Sequence, residues 1–416
     1  MSSPRVALLT PTFWPVANRL LVAMRGLAEW CQRAGAEVAL FTEKLEPDWP
    51  TRLRFRDWNV VRIERPIARP WSRGRFGKAL VKALEEELSR AADLPSRWDA
   101  VIVCDWPEAL FALDGHAGRI SEQLLFWFDR PLPPEARGNG AAGRAWQAGL
   151  RSCSSLLSPH PRAVDWIAGL SDLKSGVTWI PDYSGGGEPA SRESSGHRSA
   201  TTKPAAARAN RDESRKTLAE IHPLLNFERQ QLLAVCAAEL SGDSGVYDLL
   251  NAWRHLRRDE PRAQLLLIGD GPQARAVWSR IHDWHLQGNV VMPGCFDDHE
   301  ELLRAADFYI HPLRSDESCP SLSMALQMGI PCVLSKASPW SAELAAGREA
   351  WIFEAGSPAS LLDRLRDATQ DPGLRQSIGA AGAVACREAM ARATPLTNWL
   401  RPQSATRSES RSGAGA

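Results

Sequence analysis

The 416-residue chain predicts an α/β protein of two doubly wound domains, and three observations carry that prediction. Short apolar runs alternate with stretches of helical periodicity in both halves, the order that a mostly parallel sheet covered on both faces requires. A polar stretch rich in Gly, Ser and Ala separates the halves. The composition, 44% apolar and 24% charged, is that of folded protein, and the length suits two or three domains at about 150 residues each.

In the first half, residues 5–10 (RVALLT) read as a buried strand, 20–34 as a helix and, past Gly35, 37–42 as a strand, which makes one βαβ unit. Further strands are expected at 60–64, 100–104, 123–128, 155–158 and 177–180, mostly with helical stretches between them. Residues 184–216 contain almost no large apolar side chain and cannot bury enough surface to offset their ordering entropy. They are expected to be a disordered linker.

The second half repeats the alternation. Strands are expected at 231–236, 264–268, 290–292, 308–311 and 332–335, with helices at 246–256, 274–285, 300–305 and 322–328. Residues 404–416 (SATRSESRSGAGA) read as a disordered tail. The division is thus a first domain over 1–183, the linker over 184–216, a second domain over 217–390, a C-terminal segment over 391–403 and the tail. Such domains place a ligand cleft between the carboxyl ends of their strands.

Fifty Lys and Arg against 49 Asp and Glu leave a formal charge of +1, so no chain-wide field attracts nucleic acid. Eight Cys show no two-residue spacing, which favours buried thiols in a reducing compartment over a zinc site or a disulfide framework. The apolar start at residues 6–9 is interrupted by Pro11, Pro15 and Arg19 before it could form a signal-peptide core. No uncharged apolar run approaches the ~18 residues that span a bilayer. A cytoplasmic location is expected, with peripheral membrane contact left open. Seventeen Trp against three Tyr carry no functional reading.

Three turns in the second half bear on chemistry. Gly269-Asp270-Gly271-Pro272 ends a buried strand with residues that permit a tight turn, and either a plain strand-to-helix turn or a ligand contact fits it. Pro293-Gly294-Cys295-Phe296 forms a second such turn. Asp297 and Asp298 read as caps for the helix holding Glu300 rather than as a metal pair. The loop over 317–322 enters a helix at Ser321, whose backbone N–H groups and positive dipole end suit a diphosphate. Glu317 beside it is either a ligand contact or a solvated acid.

Five segments in order, 265–272 (LLLIGDGP), 289–294 (NVVMPG), 302–312 (LLRAADFYIHP), 316–333 (DESCPSLSMALQMGIPCV) and 342–357 (AELAAGREAWIFEAGS), resemble one family. It is the donor domain of the retaining, nucleotide-sugar-dependent family 4 glycosyltransferases, the glycosyl transferases group 1, whose GT-B fold sets two Rossmann-like domains about a central cleft. The similarity covers about residues 232–388. Residues 34–38 (AGAEV) and Ile180-Pro181-Asp182 fit the family's first domain more loosely. The resemblance implies transfer of a sugar from a nucleotide diphosphate sugar to a glycan or lipid-linked acceptor, in polysaccharide biosynthesis, with no metal and no cofactor besides the donor. It implies that Glu317 contacts the donor sugar as the catalytic residue. Gly269, Asp270, Gly294, Phe296, Ser318, Cys319, Ser321 and Leu322 are the donor-binding positions it implies.

The sequence also departs from that pattern. The family's second Glu, which holds the ribose, falls on Met324 or Ala325. Its diphosphate-clamping Arg and Lys fall on Glu239 and Ser244, and an anion in place of a cation repels a diphosphate by about 1 to 4 kcal/mol at ~4 Å. Residues 11–16 (PTFWPV) replace the Gly-rich first turn. Phe128, beside Asp129 and Arg130, stands where a His is usual, and His160 reads as a loop residue. A second expectation therefore stands beside sugar transfer, a catalytically degenerate scaffold that binds a partner. A nicotinamide oxidoreductase is disfavoured, because no Gly-x-Gly-x-x-Gly follows either opening strand. Arg314 and Lys336 are the candidate cations to reach the phosphates in place of the lost pair, with an ordinary surface charge as the alternative for each; their presence in the cleft revives the enzyme reading and their absence sinks it.

Overall fold

The protein is described by a computed structural model over residues 3–16, 18–64, 73–90, 97–160, 163–167, 170, 176–180, 204–315, 317 and 319–400. Two compact units divide the chain, one of Met1–Phe13, Met24–Pro181 and Ala393–Ala416, the other of Trp14–Ala23 and Asp182–Arg392.

The first unit follows the order β1 (Arg5–Leu9), α1 (Arg19–Arg33, its first residues counted with the second unit), β2 (Glu37–Lys44), β3 (Arg52–Phe55), β4 (Trp58–Glu64), α2 (Arg73–Ser89), β5 (Trp98–Cys104), α3 (Pro107–Leu113), α4 (Ala117–Ile120), β6 (Ser121–Trp127), α5 (Ala141–Ser152), β7 (Ser155–Ser158), α6 (Ala163–Trp166) and β8 (Val177–Trp179). Its sheet order is β3-β4-β2-β1-β5-β6-β7-β8. Strand β1 lies centrally, with Val6 opposite Val38 and Ala100 in parallel register, and all five of its residues are buried. That burial on both faces is what the unbroken apolar run encodes. Strand β3 (RLRF) pairs antiparallel with β4 at the edge. Its alternating Arg residues hide it from the apolar pattern, and charge is what an edge strand tolerates.

Trp98, Trp106, Trp146 and Trp166 pack into this unit's core with Phe126 and Phe128, so these four Trp serve packing. Phe128 stacks on Phe126 with ring centroids 5.8 Å apart. His160, expected in a loop, is buried with its ring 4.1 Å from that of Trp166.

The second unit runs α7 (Pro204–Ile221), β9 (Leu233–Ala237), α8 (Val246–Asp259), β10 (Gln264–Ile268), α9 (Ala274–Asp283), β11 (Val290–Gly294), α10 (Glu300–Arg304), β12 (Phe308–His311), α11 (Pro320–Gln327), β13 (Cys332–Ser335), β14 (Trp351–Phe353), α12 (Pro358–Gln370) and α13 (Pro372–Arg392). Its strands pair in parallel in the order β11-β10-β9-β12-β13-β14. A last helix, α14 (Thr397–Leu400), belongs to the first unit. There the Thr394 N–H donates to the carbonyl of Trp179 and the Trp399 indole to Ser155 Oγ. The segment expected over 391–403 is thus included in the first unit from Ala393 on. No described helix is long and apolar enough to cross a membrane.

The linker expected over 184–216 is corrected for its second half. Residues 184–203 and the tail over 404–416 lie outside the described residues, but 204–216 form most of α7. Composition does not reveal this helix because a buried cation, not apolar area, fastens it. Arg215 is only 3% exposed. It donates to the carbonyls of Ala305 and Glu228 at 3.0 Å each, and its Nη2 meets Asp307 Oδ2 at 2.9 Å. Arg211 pairs with the same carboxylate, which also accepts the N–H of Leu233 at the start of β9 (2.8 Å). Burial pulls the Arg215 pKa down while Asp307 pulls it back up.

Removing one partner of a buried ion pair strands the other. Asp307→Ala is expected to destabilise the second unit by about 3 to 5 kcal/mol, read as a lower urea midpoint. The Arg215→Met, Asp307→Ala double variant is expected to cost less than the two single changes combined, because the more deeply buried charge, that of Arg215, is then not left without its partner. A loss below about 1 kcal/mol in Asp307→Ala would remove the anchoring role.

Candidate functional site

The carboxyl ends of β9, β10 and β11 are laced together by backbone hydrogen bonds. The Ala238 N–H donates to Ile268, Leu240 to Asp270 and Gln273 back to Leu240, at 2.9 to 3.0 Å, and Gly269 donates to Gly294 at 2.9 Å. Gly269 takes φ +146°, and a Cβ there would lie 1.9 Å from the Ala238 carbonyl oxygen. Only glycine lets the two turns approach this closely. Gly245 permits a similar approach before α8: at φ +68°, a Cβ would lie 1.9 Å from the Pro312 carbonyl oxygen, so α8 starts directly against the turn that follows β12.

These turns wall a cavity of about 80 Å³, open to solvent and lying within the second unit. Of the positions singled out in the sequence, Gly269, Asp270, Phe296, Glu317, Cys319 and Ser321 line it. Gly294 does not; it contributes its carbonyl to Gly269 instead. Ser318 lies outside the described residues. Leu322 is corrected: its side chain is fully buried, and its N–H donates to the Cys319 carbonyl at 3.1 Å. Ser323 donates to the same carbonyl at 3.2 Å, and Pro320 has no N–H to give. The expected open array of donors at the start of α11 is therefore reduced, with Ser321 facing the cavity.

A residue outside the sequence motifs organises this end. His299 is buried, with Nδ1 2.7 Å from Ser321 Oγ and Nε2 3.2 Å from the carbonyl of Phe296. A carbonyl only accepts, so in the neutral ring Nε2 carries the proton and Nδ1 accepts the Ser321 hydroxyl. The imidazole thereby ties the Phe296 turn to the head of α11. Of its neighbours Asp297 and Asp298, the second does cap α10, accepting the Glu300 N–H at 2.9 Å.

His311, the last residue of β12, also lines the cavity. It is 3% exposed, and its buried Nε2 has no hydrogen-bond partner among the described residues. Burial pushes its pKa down to about 4, so the ring is neutral near pH 7. Two half-buried thiols, Cys295 and Cys319, complete this wall. Burial, with Asp270 nearby, raises Cys295 to about 11, which keeps it protonated.

The charged residues singled out in the sequence divide between the cavity and other places. Glu239 lines the cavity, and Arg19 Nε, from the stretch counted with this unit, lies 3.7 Å from its carboxylate. Arg314 and Lys336 do not line it. Arg314 grips both oxygens of Asp248 at 2.7 and 2.8 Å, a bidentate bond that raises its pKa. Lys336 pairs with Glu354 on the surface at 2.9 Å. Met324 and Ala325 are both buried in the core, so neither reaches a ribose. Among the described residues no group of three or more His, Cys, Asp or Glu could hold a metal ion.

Comparison with known proteins agrees with this arrangement. Residues 219–385 match the family model of glycosyl transferases group 1. N-acetyl-alpha-D-glucosaminyl L-malate synthase of Bacillus anthracis is 24% identical over 134 residues, covering 32% of this chain and 35% of that protein. The putative colanic acid biosynthesis glycosyltransferase WcaL of Salmonella typhimurium is 26% identical over 141 residues, with the same coverage of 32% and 35%. The matched stretch thus spans about a third of each curated relative. Among solved structures, sucrose-phosphate synthase from Thermosynechococcus elongatus aligns over 99% of this chain and 100% of its own, with TM-score 0.67 and 13% identity. Anabaena HepE in complex with UDP and glucose gives TM-score 0.65 at 14% identity over 98% and 100%. WaaG, a glycosyltransferase involved in lipopolysaccharide biosynthesis, gives 0.57 at 17% over 93% and 95%. At these identities the structural likeness speaks for the fold alone, GT-B, and within it residues 219–385 match the glycosyl transferases group 1 model.

Proposed function

We propose that this protein is a glycosyltransferase that moves a sugar from a nucleotide diphosphate sugar to a glycan or lipid-linked acceptor, with retention and without a metal. One observation carries the reading: the turns that bear the group 1 resemblance converge on a single cavity, with Glu317 and Ser321 on its wall. In this reading Glu317 holds the hydroxyls of the donor sugar. The departing nucleoside diphosphate gains negative charge, and the positive end of α11 at Ser321, fixed by His299, stabilises that charge where it develops. Arg19 supplies the cation on this wall. Solved relatives crystallised with UDP and with UDP-glucose support a nucleotide sugar as the donor. Eight free thiols support a reducing, cytoplasmic setting.

A scaffold that binds without transfer is the second reading. It is favoured by Glu239 in the cavity and by the engagement of Arg314 and Lys336 with carboxylates elsewhere.

Thermal unfolding against UDP, GDP, ADP and their sugar conjugates separates the two. Saturation at about one hundred times Kd adds about 2.7 kcal/mol, and each kcal/mol raises Tm by about 2 to 4 °C at this size. A rise of several degrees with one base is the expected result, and no rise with any nucleotide leaves the scaffold. With the selected donor, Glu317→Gln is expected to lower kcat/KM by about 100-fold or more, while the nucleoside diphosphate still raises Tm. Unchanged turnover in that variant would remove Glu317 from the reaction.

A further inference from the structure

We propose that His311 is a specificity-setting residue of this cavity, and that its ring meets a hydroxyl of the glycosyl moiety of the bound nucleotide sugar. The inference rests on the donor-binding reading above and deepens it, by saying which portion of the donor this wall takes.

Three observations lead to it. His311 Nε2 is buried and has no hydrogen-bond partner among the described residues, although the side chain lines the cavity. Buried polar atoms are almost always paired, and an exception on a cavity wall points to a ligand that completes it. The chemistry of the ring then selects the ligand group. Burial alone lowers its pKa, with no carboxylate and no cation among the causes. The imidazole is therefore not the partner of Glu239, Glu317 or Arg19, and it stands neutral. Setting a phosphate oxygen against a buried neutral ring, with no cation acting on that ring, carries an uncompensated desolvation cost. A hydroxyl is uncharged, and the hydrogen bond to Nε2 offsets its smaller desolvation cost. It both donates and accepts, so it fits Nε2 in either tautomer.

Position identifies the hydroxyl. His311 closes β12 and Glu317 stands six residues later on the same cavity wall. Between them Pro312 is held against Gly245, which fixes where the loop departs. The two side chains therefore address one moiety from either end of a short loop, and Glu317 is the residue assigned to the donor sugar.

The test measures binding of a nucleoside diphosphate and of its sugar conjugate, UDP and UDP-glucose or the ADP or GDP pair that binds, by calorimetry on the full chain. Parent, His311→Leu and His311→Gln are compared. His311→Leu is expected to weaken the sugar nucleotide about tenfold, the loss from one unsatisfied hydrogen bond, with the nucleoside diphosphate within about twofold of the parent. His311→Gln, whose amide nitrogen reaches close to the position of Nε2, is expected to restore most of the difference. In the parent labelled with ¹⁵N-histidine, the His311 resonance is expected to move with the sugar nucleotide and not with the diphosphate alone. Unliganded His311→Leu is expected to melt no lower than the parent, since that change removes an unpaired polar atom. Equal weakening of both ligands in His311→Leu, or no weakening of either, overturns the assignment while the donor-binding reading stands. Failure of the parent to bind any nucleotide overturns the donor-binding reading and this assignment together.

Discussion

A parallel sheet buried on both faces leaves polar groups only its two ends. In the second unit every residue of β9, β12 and β13 is buried, so a group that meets a ligand can stand only at the end of such a strand, as His311 does at the close of β12. The amino end carries the Asp307 carboxylate with its two arginines, which fastens α7 beside the start of β9. The carboxyl end carries the cavity. Structure and chemistry are thus divided between opposite edges of one sheet, and the interlaced turns at the carboxyl edge keep the cavity walls in register.

Charge at that end is paired within the unit: Arg19 approaches the Glu239 carboxylate from a different stretch of the chain. A weakly held ion pair with a half-exposed carboxylate is worth little to stability. On the reading proposed above its consequence is for recognition, since a diphosphate entering the cavity would compete with Glu239 for the guanidinium. The head of α11, where His299 and Ser321 fix the local geometry without adding a formal charge, would then meet the rest of the anion.

Legibility in the sequence tracks how far each feature depends on local pattern. The strands of both sheets are legible because apolar runs bounded by Gly and Pro are local signals; 155–158, 264–268, 308–311 and 332–335 fall on the observed strands. Strand β3 is not legible, because an edge strand with alternating Arg lacks the apolar signal. Helix α7 is hidden because its anchor is a contact between Arg215 and Asp307, 92 residues apart. In the candidate site, motif spacing locates Gly269, Asp270, Phe296, Glu317, Cys319 and Ser321 on one cavity. It overstates Leu322, since a position inside a motif does not tell which way a side chain faces. His299 and His311 go unassigned for a related reason. What distinguishes them is burial and the partners they have or lack, properties that belong to the folded chain.

The neutral ring of His311 bears on what this cavity can hold. A buried polar atom left unpaired is costly, and the Nε2 of His311 stays buried on the cavity wall with no partner among the described residues. Glycine stands at 269 and 245, where any side chain would collide with neighbouring backbone. A cavity, close backbone approaches around it and a neutral hydrogen-bonding group thus occur together at one end of the sheet. On the donor-binding reading proposed above, that combination suits the hydroxyls of a ligand rather than its charge, and it puts the discriminating contacts at the end of β12 and in the loop that follows.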